Sequence, residues 1–200
     1  MTTIRDSSRR AAPVAVIGIG NVLLGDDGFG PTVIGMLAAQ WEVPGAVELI
    51  DAGTPGLDLA GQLCGRDSVI LVDAVADESR GEEDDGLRFY RGEALQHMLA
   101  LHPRVSEHDP ALAEALAIAG LVGEGPRRVL LLGVVPRACE VGVGLSPPVE
   151  KAAVEAAEAI VMTLAGWGLP AQRRELATAP ELWWATARAG DAVAAAVTRR

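Results

Sequence analysis

The sequence predicts an α/β fold: a three-layer sandwich in which a mostly parallel, twisted sheet of about five strands carries helices on both faces. Three observations lead there. The runs VAVIGI (14–19), SVILVDAV (68–75) and RVLLLGVVP (128–136) are apolar throughout, as strands buried on both faces must be. Segments with helical spacing of apolar residues separate them. Strand–helix alternation of this kind builds one sheet between two helical layers. The 200 residues suit one domain with a full core.

Each element has its own signals. Residues 1–12 read as a disordered lead, 13–168 as the folded domain, and 169–200 as a linker and C-terminal extension with helical character. The first strand (14–19) ends at Gly20 and is followed by the loop GNVLLGDDG. A helix follows over FGPTVIGMLAAQW. There Val33, Leu37 and Trp41 share a face with Ile34 beside them, and Pro31 fits the first turn. AVELID (46–51) is the second strand; Thr54 then reads as the N-cap of a short helix through Leu63. The third strand is 68–75, and the charge run ADESRGEEDDG after it reads as a solvated turn. LRFYRG (87–92) is a fourth strand and EALQHMLAL (93–101) a helix. Asp109 and Pro110 open another helix through Leu121. The last strand, 128–136, leads through RACEVGVGL to Ser146 and Pro147, which start a long helix to about Trp167. Residues 181–198 read as a loose terminal helix.

The formal net charge of −10 argues against a nucleic-acid binder, which needs a basic face, and against adhesion to anionic lipid. It suits a partner carrying a cation or a basic tail. The two cysteines, Cys64 and Cys139, have no short metal-ligand spacing and point to a reducing cytoplasm. The N-terminal segment lacks an apolar stretch fit for a signal peptide, and no run is long enough to insert in a membrane.

The loop GIGNVLLGDDG invites a dinucleotide reading, but only Gly18 and Gly20 match that fingerprint; its sixth position is Leu23. Asp26 and Asp27 also stand where a pyrophosphate would sit, and would repel it. One aspartate suffices to cap the next helix, which leaves the other spare. Asp73 interrupts an apolar strand, where an unpartnered charge is costly. If the strand order begins 2-1-3, the winding reverses between the first and third strands, and Asp27 and Asp73 flank the crevice there. Of three histidines, His97 lies in a helical pattern and His102 at a helix end. His108 sits in the loop VSEHDP, where Glu107 and Asp109 are competing ligands. Two carboxylates and an imidazole suit a borderline divalent metal such as nickel or zinc. Neither a G-x-S-x-G elbow nor an H-E-x-x-H helix occurs.

Taken together and in order, GIGNVLLGDDGFG, DAGTPGLDL, ILVDAV, SEHD and LLGVVPRACEVGVGLSP resemble the blocks of the hydrogenase maturation endopeptidases, from about residue 14 to 167. The resemblance implies a peptidase domain over 13–168 that clips a C-terminal extension from the large-subunit precursor of a nickel-iron hydrogenase after nickel loading. It implies an aspartate-dependent protease whose metal-contacting and catalytic positions fall on Asp27, Asp73 and His108. The nickel is then presented by the substrate, and no resident cofactor is expected. Asp27 stands where the family often has glutamate, Ala52 where it often has glycine, and Pro110-Ala111-Leu112 where a glycine-leucine pair is usual. A chaperone gripping the loaded subunit without cutting, a nucleotide-binding α/β protein and a small-molecule metallohydrolase are the competing classes.

Overall fold

The computed structural model describes residues 12–75, 86–101, 112–176, 178, 180, 182 and 184. The main sheet has five strands in the order β3 (Val47–Gly53), β1 (Val14–Ile19), β4 (Ser68–Ala74), β6 (Arg128–Val134), β5 (Arg88–Tyr90). All neighbours are parallel except β5, which lies antiparallel on β6. The assumed 2-1-3 order of the first three long strands is therefore the observed one, and the winding reverses between β1 and β4. A second, two-stranded sheet pairs β2 (Trp41–Glu42) with β7 (Gln172–Arg173).

Strand geometry explains why β1 and β4 are apolar throughout. Side chains alternate between faces, and here each face meets helices. Val14, Val16, Ile70, Val72, Leu130 and Leu132 pack with α1 (Phe29–Gln40) and α5 (Pro147–Gly166). Ala15, Ile17, Val69, Leu71 and Leu131 pack on the other side with α2 (Asp58–Leu63), α3 (Glu93–Leu101) and α4 (Leu112–Leu121). Buried alanines at 152, 153, 156 and 157 give α5 a flat face that lies close on its neighbours. Among the described residues no helix is long and apolar enough to cross a membrane.

Two local readings need correction or placing. Thr54 does not cap α2. The helix is entered through Pro55, Gly56 and Leu57, whose carbonyls accept the N–H groups of Asp58, Leu59 and Ala60 three residues on, and its N-cap position is Leu57. Those turns satisfy the first donors of the helix, so no side-chain cap is required. The expected opening of α4 at Asp109 and Pro110, and most of the charged loop after β4, lie outside the described residues.

The stretch 169–180, expected as a linker, holds β7. Arg174 there donates from its backbone to Gln40 O (2.9 Å) and from Nε to Ala38 O (3.1 Å), which are carbonyls of the last turn of α1. A cation at that end also opposes the helix dipole. The Arg173 guanidinium lies over the Trp41 ring, 5.6 Å from its centroid.

Candidate active site

The carboxyl ends of β1 and β4 are crowded with backbone. A Cβ on Gly30, in the first turn of α1, would collide with the carbonyl oxygens of Ile19 and Val72, one on each strand. Only glycine lets the helix start that close to the sheet. The chain reaches Gly30 from β1 through a tight loop and a 3-10 turn, Gly25–Gly28. Gly20 has φ 135°, and a side chain there would overlap the Asp27 carbonyl oxygen. The glycines that suggest a dinucleotide loop thus fold this loop down onto the strand ends.

Asp26 and Asp27 sit side by side in the turn and do different things. Asp26 is fully buried. Its Oδ2 accepts the Arg137 N–H (2.8 Å), the Ala138 N–H (3.0 Å) and the Ser146 hydroxyl (2.9 Å); its Oδ1 accepts the Ser146 N–H (2.6 Å). Backbone bonds run alongside: Asp26 N–H to Ala138 O, Gly25 N–H to Gly142 O, and Gly142 N–H to Leu23 O. Asp26 is therefore a clamp between this loop and the one joining β6 to α5. It does not cap α1, whose N-cap is Gly28. Ser146 does occupy the N-cap position of α5, but its hydroxyl goes to Asp26 and not to its own helix. Charge-assisted bonds of this kind are the strong ones, which explains the preference.

Asp27 is half-buried, and its Oδ2 accepts the Asn21 N–H at 2.8 Å. The carboxylate is thereby turned back over the end of β1. Asp73 lies one residue beyond Val72, which pairs with Gly18 of β1, and it is 4% exposed. The turn carrying Asp27 touches β4. Both acids thus occupy the carboxyl end of adjacent strands at the reversal of winding, where α/β sheets place their ligand sites. Both take part in further polar interactions. His108, with Glu107 and Asp109, lies outside the described residues. Among the described residues no three acids, histidines or cysteines form a group that holds a metal.

Two neighbours of Asp27 were not singled out from the sequence. Cys139, an exposed residue of the clamped loop, has its thiol pKa raised, first by the partial burial of the thiol and then by the charges of Asp27 and Asp26; a backbone hydrogen bond from Asp27 acts in the opposite sense. The second is a cavity of about 230 Å³ beside the Gly20–Asn21 segment, bordered by Leu23, Asp51, Thr54 and Trp184. Asp51 and the Gly53–Thr54 turn come to the same crevice from β3; Trp184 comes from the far end of the chain. No local pattern marks Cys139 or Trp184 as neighbours of the first loop, because each is brought in by a segment distant in sequence.

The family model for hydrogenase maturation protease matches residues 31–163. The chain belongs to this family. The hydrogenase 2 maturation protease of Escherichia coli is 32% identical over 162 residues, which is 81% of this chain and 96% of that one. The hydrogenase expression/formation protein HoxM of Cupriavidus necator is 36% identical over 169 residues, 83% and 82% of the two chains. The solved hydrogenase-maturating endopeptidase HybD of Escherichia coli superposes with a TM-score of 0.73 at 30% identity, covering 80% of this chain and 97% of its own. As a maturation protease the chain is a hydrolase that cuts peptide bonds, and its α/β sheet is the one these structures share. The family match ends at residue 163, so β7 and Trp184 lie beyond it.

Proposed function

We propose that this maturation protease removes a C-terminal peptide from the large-subunit precursor of a nickel-iron hydrogenase once nickel is in place, and that Asp27, Asp73 and His108 receive that nickel. The observation that carries the reading is the division of labour in the first loop. Asp26 is taken up by the clamp to the loop joining β6 to α5, while Asp27, held by the Asn21 N–H, lies at the same strand ends that carry Asp73. Two carboxylates at one crevice attract a cation, and an imidazole completes a mixed oxygen and nitrogen set suited to a borderline divalent metal. The metal belongs to the substrate, so docking requires a loaded precursor. An unloaded precursor presents no charge to offset two adjacent acids.

Held there, the metal polarises the scissile carbonyl. A water adds to the carbonyl carbon, its proton passes by way of a site carboxylate to the leaving amine, and the carbon–nitrogen bond breaks. The protease is then aspartate-dependent without being a two-aspartate enzyme of the acid type. We assign the reaction to the cytoplasm, in keeping with two cysteines that lack a disulfide or metal spacing. The test is cleavage of nickel-loaded and nickel-free precursor, read by intact mass. Only the loaded form should lose its C-terminal peptide. Equal cutting of both forms rejects metal sensing, and tight binding without a mass change identifies a chaperone instead.

A further inference from the structure

Described residues of the segment after α5 sit at successive points along α1. The segment starts at the C-terminal end of that helix, where β7 pairs with β2 and Arg174 holds the last carbonyls. Midway, Leu182 fills a notch left by Gly35: a Cβ there would stand 2.6 Å from the Leu182 side chain. It finishes at the N-terminal end of α1, where Trp184, 6% exposed, borders the cavity beside Pro31 and the Gly20–Leu23 loop. Three separate fixings thus deliver one indole to the mouth of the candidate site.

The cavity and Asp27 share their support. Asn21 lines the cavity and donates its N–H to Asp27; Gly20 lines it and packs on the Asp27 carbonyl. A group bound at Asp27 therefore has this cavity as its immediate neighbour. Val22, Leu23, Pro31 and Trp184 give the cavity its apolar walls, Asn21, Asp51 and Thr54 its polar rim, and about 230 Å³ is room for one large side chain.

Resting on the proposed cleavage reaction, we infer that Trp184 is a specificity-determining wall of the peptide cleft, and that the cavity receives one apolar side chain of the precursor next to the scissile bond. Trp184 positions substrate; it has no part in the bond-breaking step. The strap that carries it then belongs to the working protease, although it lies outside the family match.

The experiment is steady-state cleavage of nickel-loaded precursor by wild type, Trp184→Ala and Trp184→Phe, with thermal melts of each. Trp184→Ala should raise KM by about tenfold, keep kcat within about twofold, and be largely rescued by Trp184→Phe. Alanine replacement of the precursor's apolar residues around the cleavage site should raise KM at one position, and at that position Trp184→Ala should add nothing. An unchanged KM in folded Trp184→Ala overturns the inference; so does a lower KM, which marks a strap competing with substrate. If Trp184→Ala does not fold, the alanine series against Trp184→Phe decides, and equal effects at every position overturn it. If wild type leaves loaded precursor uncut, the proposed function fails by itself. The subsite is then judged by titrating a synthetic peptide spanning the precursor's cleavage site. A saturable tryptophan fluorescence change in wild type that is absent in Trp184→Phe supports it, and no such change overturns it.

Discussion

Asp26 and Asp27 are adjacent, identical in chemistry and carried on the same turn, yet one is locked and the other is poised. Asp26 is wholly inside, its two oxygens occupied by donors from a loop more than 100 residues away in sequence. Asp27 is half-exposed and takes one backbone N–H from its own loop, among its interactions. The contrast teaches that two adjacent carboxylates can be set apart by reach: one is bound wholly within the fold, the other stays at the surface of the cleft while holding its own loop.

The contrast can be broken from either side. The largest effect should come from Asp27→Asn, which keeps an oxygen for the Asn21 N–H but removes the charge. Cleavage of loaded precursor should fall by about 10²–10⁴-fold, the range for losing a general base or metal contact, while the thermal midpoint stays near wild type. An active Asp27→Asn would reject the site assignment. Asp26→Ala should do the reverse, with stability lost first and activity only as a result. It leaves the N–H groups of Arg137, Ala138 and Ser146 without their part-buried acceptor, so the loss is about 1–3 kcal/mol, read as a fall in urea midpoint at constant slope. A stable but inactive Asp26→Ala would place Asp26 in the chemistry and end the division of labour. Ser146→Ala sharpens the same point on a smaller scale. It deletes one of the bonds to Asp26 and leaves the Ser146 N–H bond in place, for a loss of about 1 kcal/mol.

The smallest effect concerns Cys139. Its thiol is held up by burial first and by the Asp27 and Asp26 charges next, so its thiolate fraction near neutral pH is below that of an ordinary thiol. Alkylation of Cys139, followed against pH by peptide mass, should set in at higher pH than for a free thiol. Asp27→Asn should move that onset down, but only in part, since burial remains. An onset that does not move would mean that the Asp27 charge is not felt at the thiol.

Much of this fold is legible in the sequence because parallel strands buried on both faces leave an unbroken apolar signature. The runs at 14–19 and 68–75 coincide with β1 and β4 to within a residue. The two-residue strands β2 and β7 leave none: each exists only because the other lies beside it. Thr54 misled because a threonine before a helix is a good cap, whereas here a run of turns from Pro55 supplies the acceptors. Topology alone brings the two acids of the first loop and Asp73 to one end of adjacent strands. Which of the two loop acids is the spare one could not be read, since the answer depends on Ser146 and on backbone groups far along the chain. His108 rests on the family resemblance, and nothing in the sequence around Trp184 ties it to the first loop.

The Asp26 clamp has a consequence for how the enzyme comes into being. Its bonds join residues 111 to 120 positions apart. Contacts that distant must wait until most of the intervening chain is organised, because closing long loops is entropically costly before other contacts reward it. The loop that presents Asp27 is thus secured only after β6 has joined the sheet and α5 has been reached. A partly folded chain has strands and helices but no assembled cleft, so the capacity to cut a peptide arrives late, together with the finished domain.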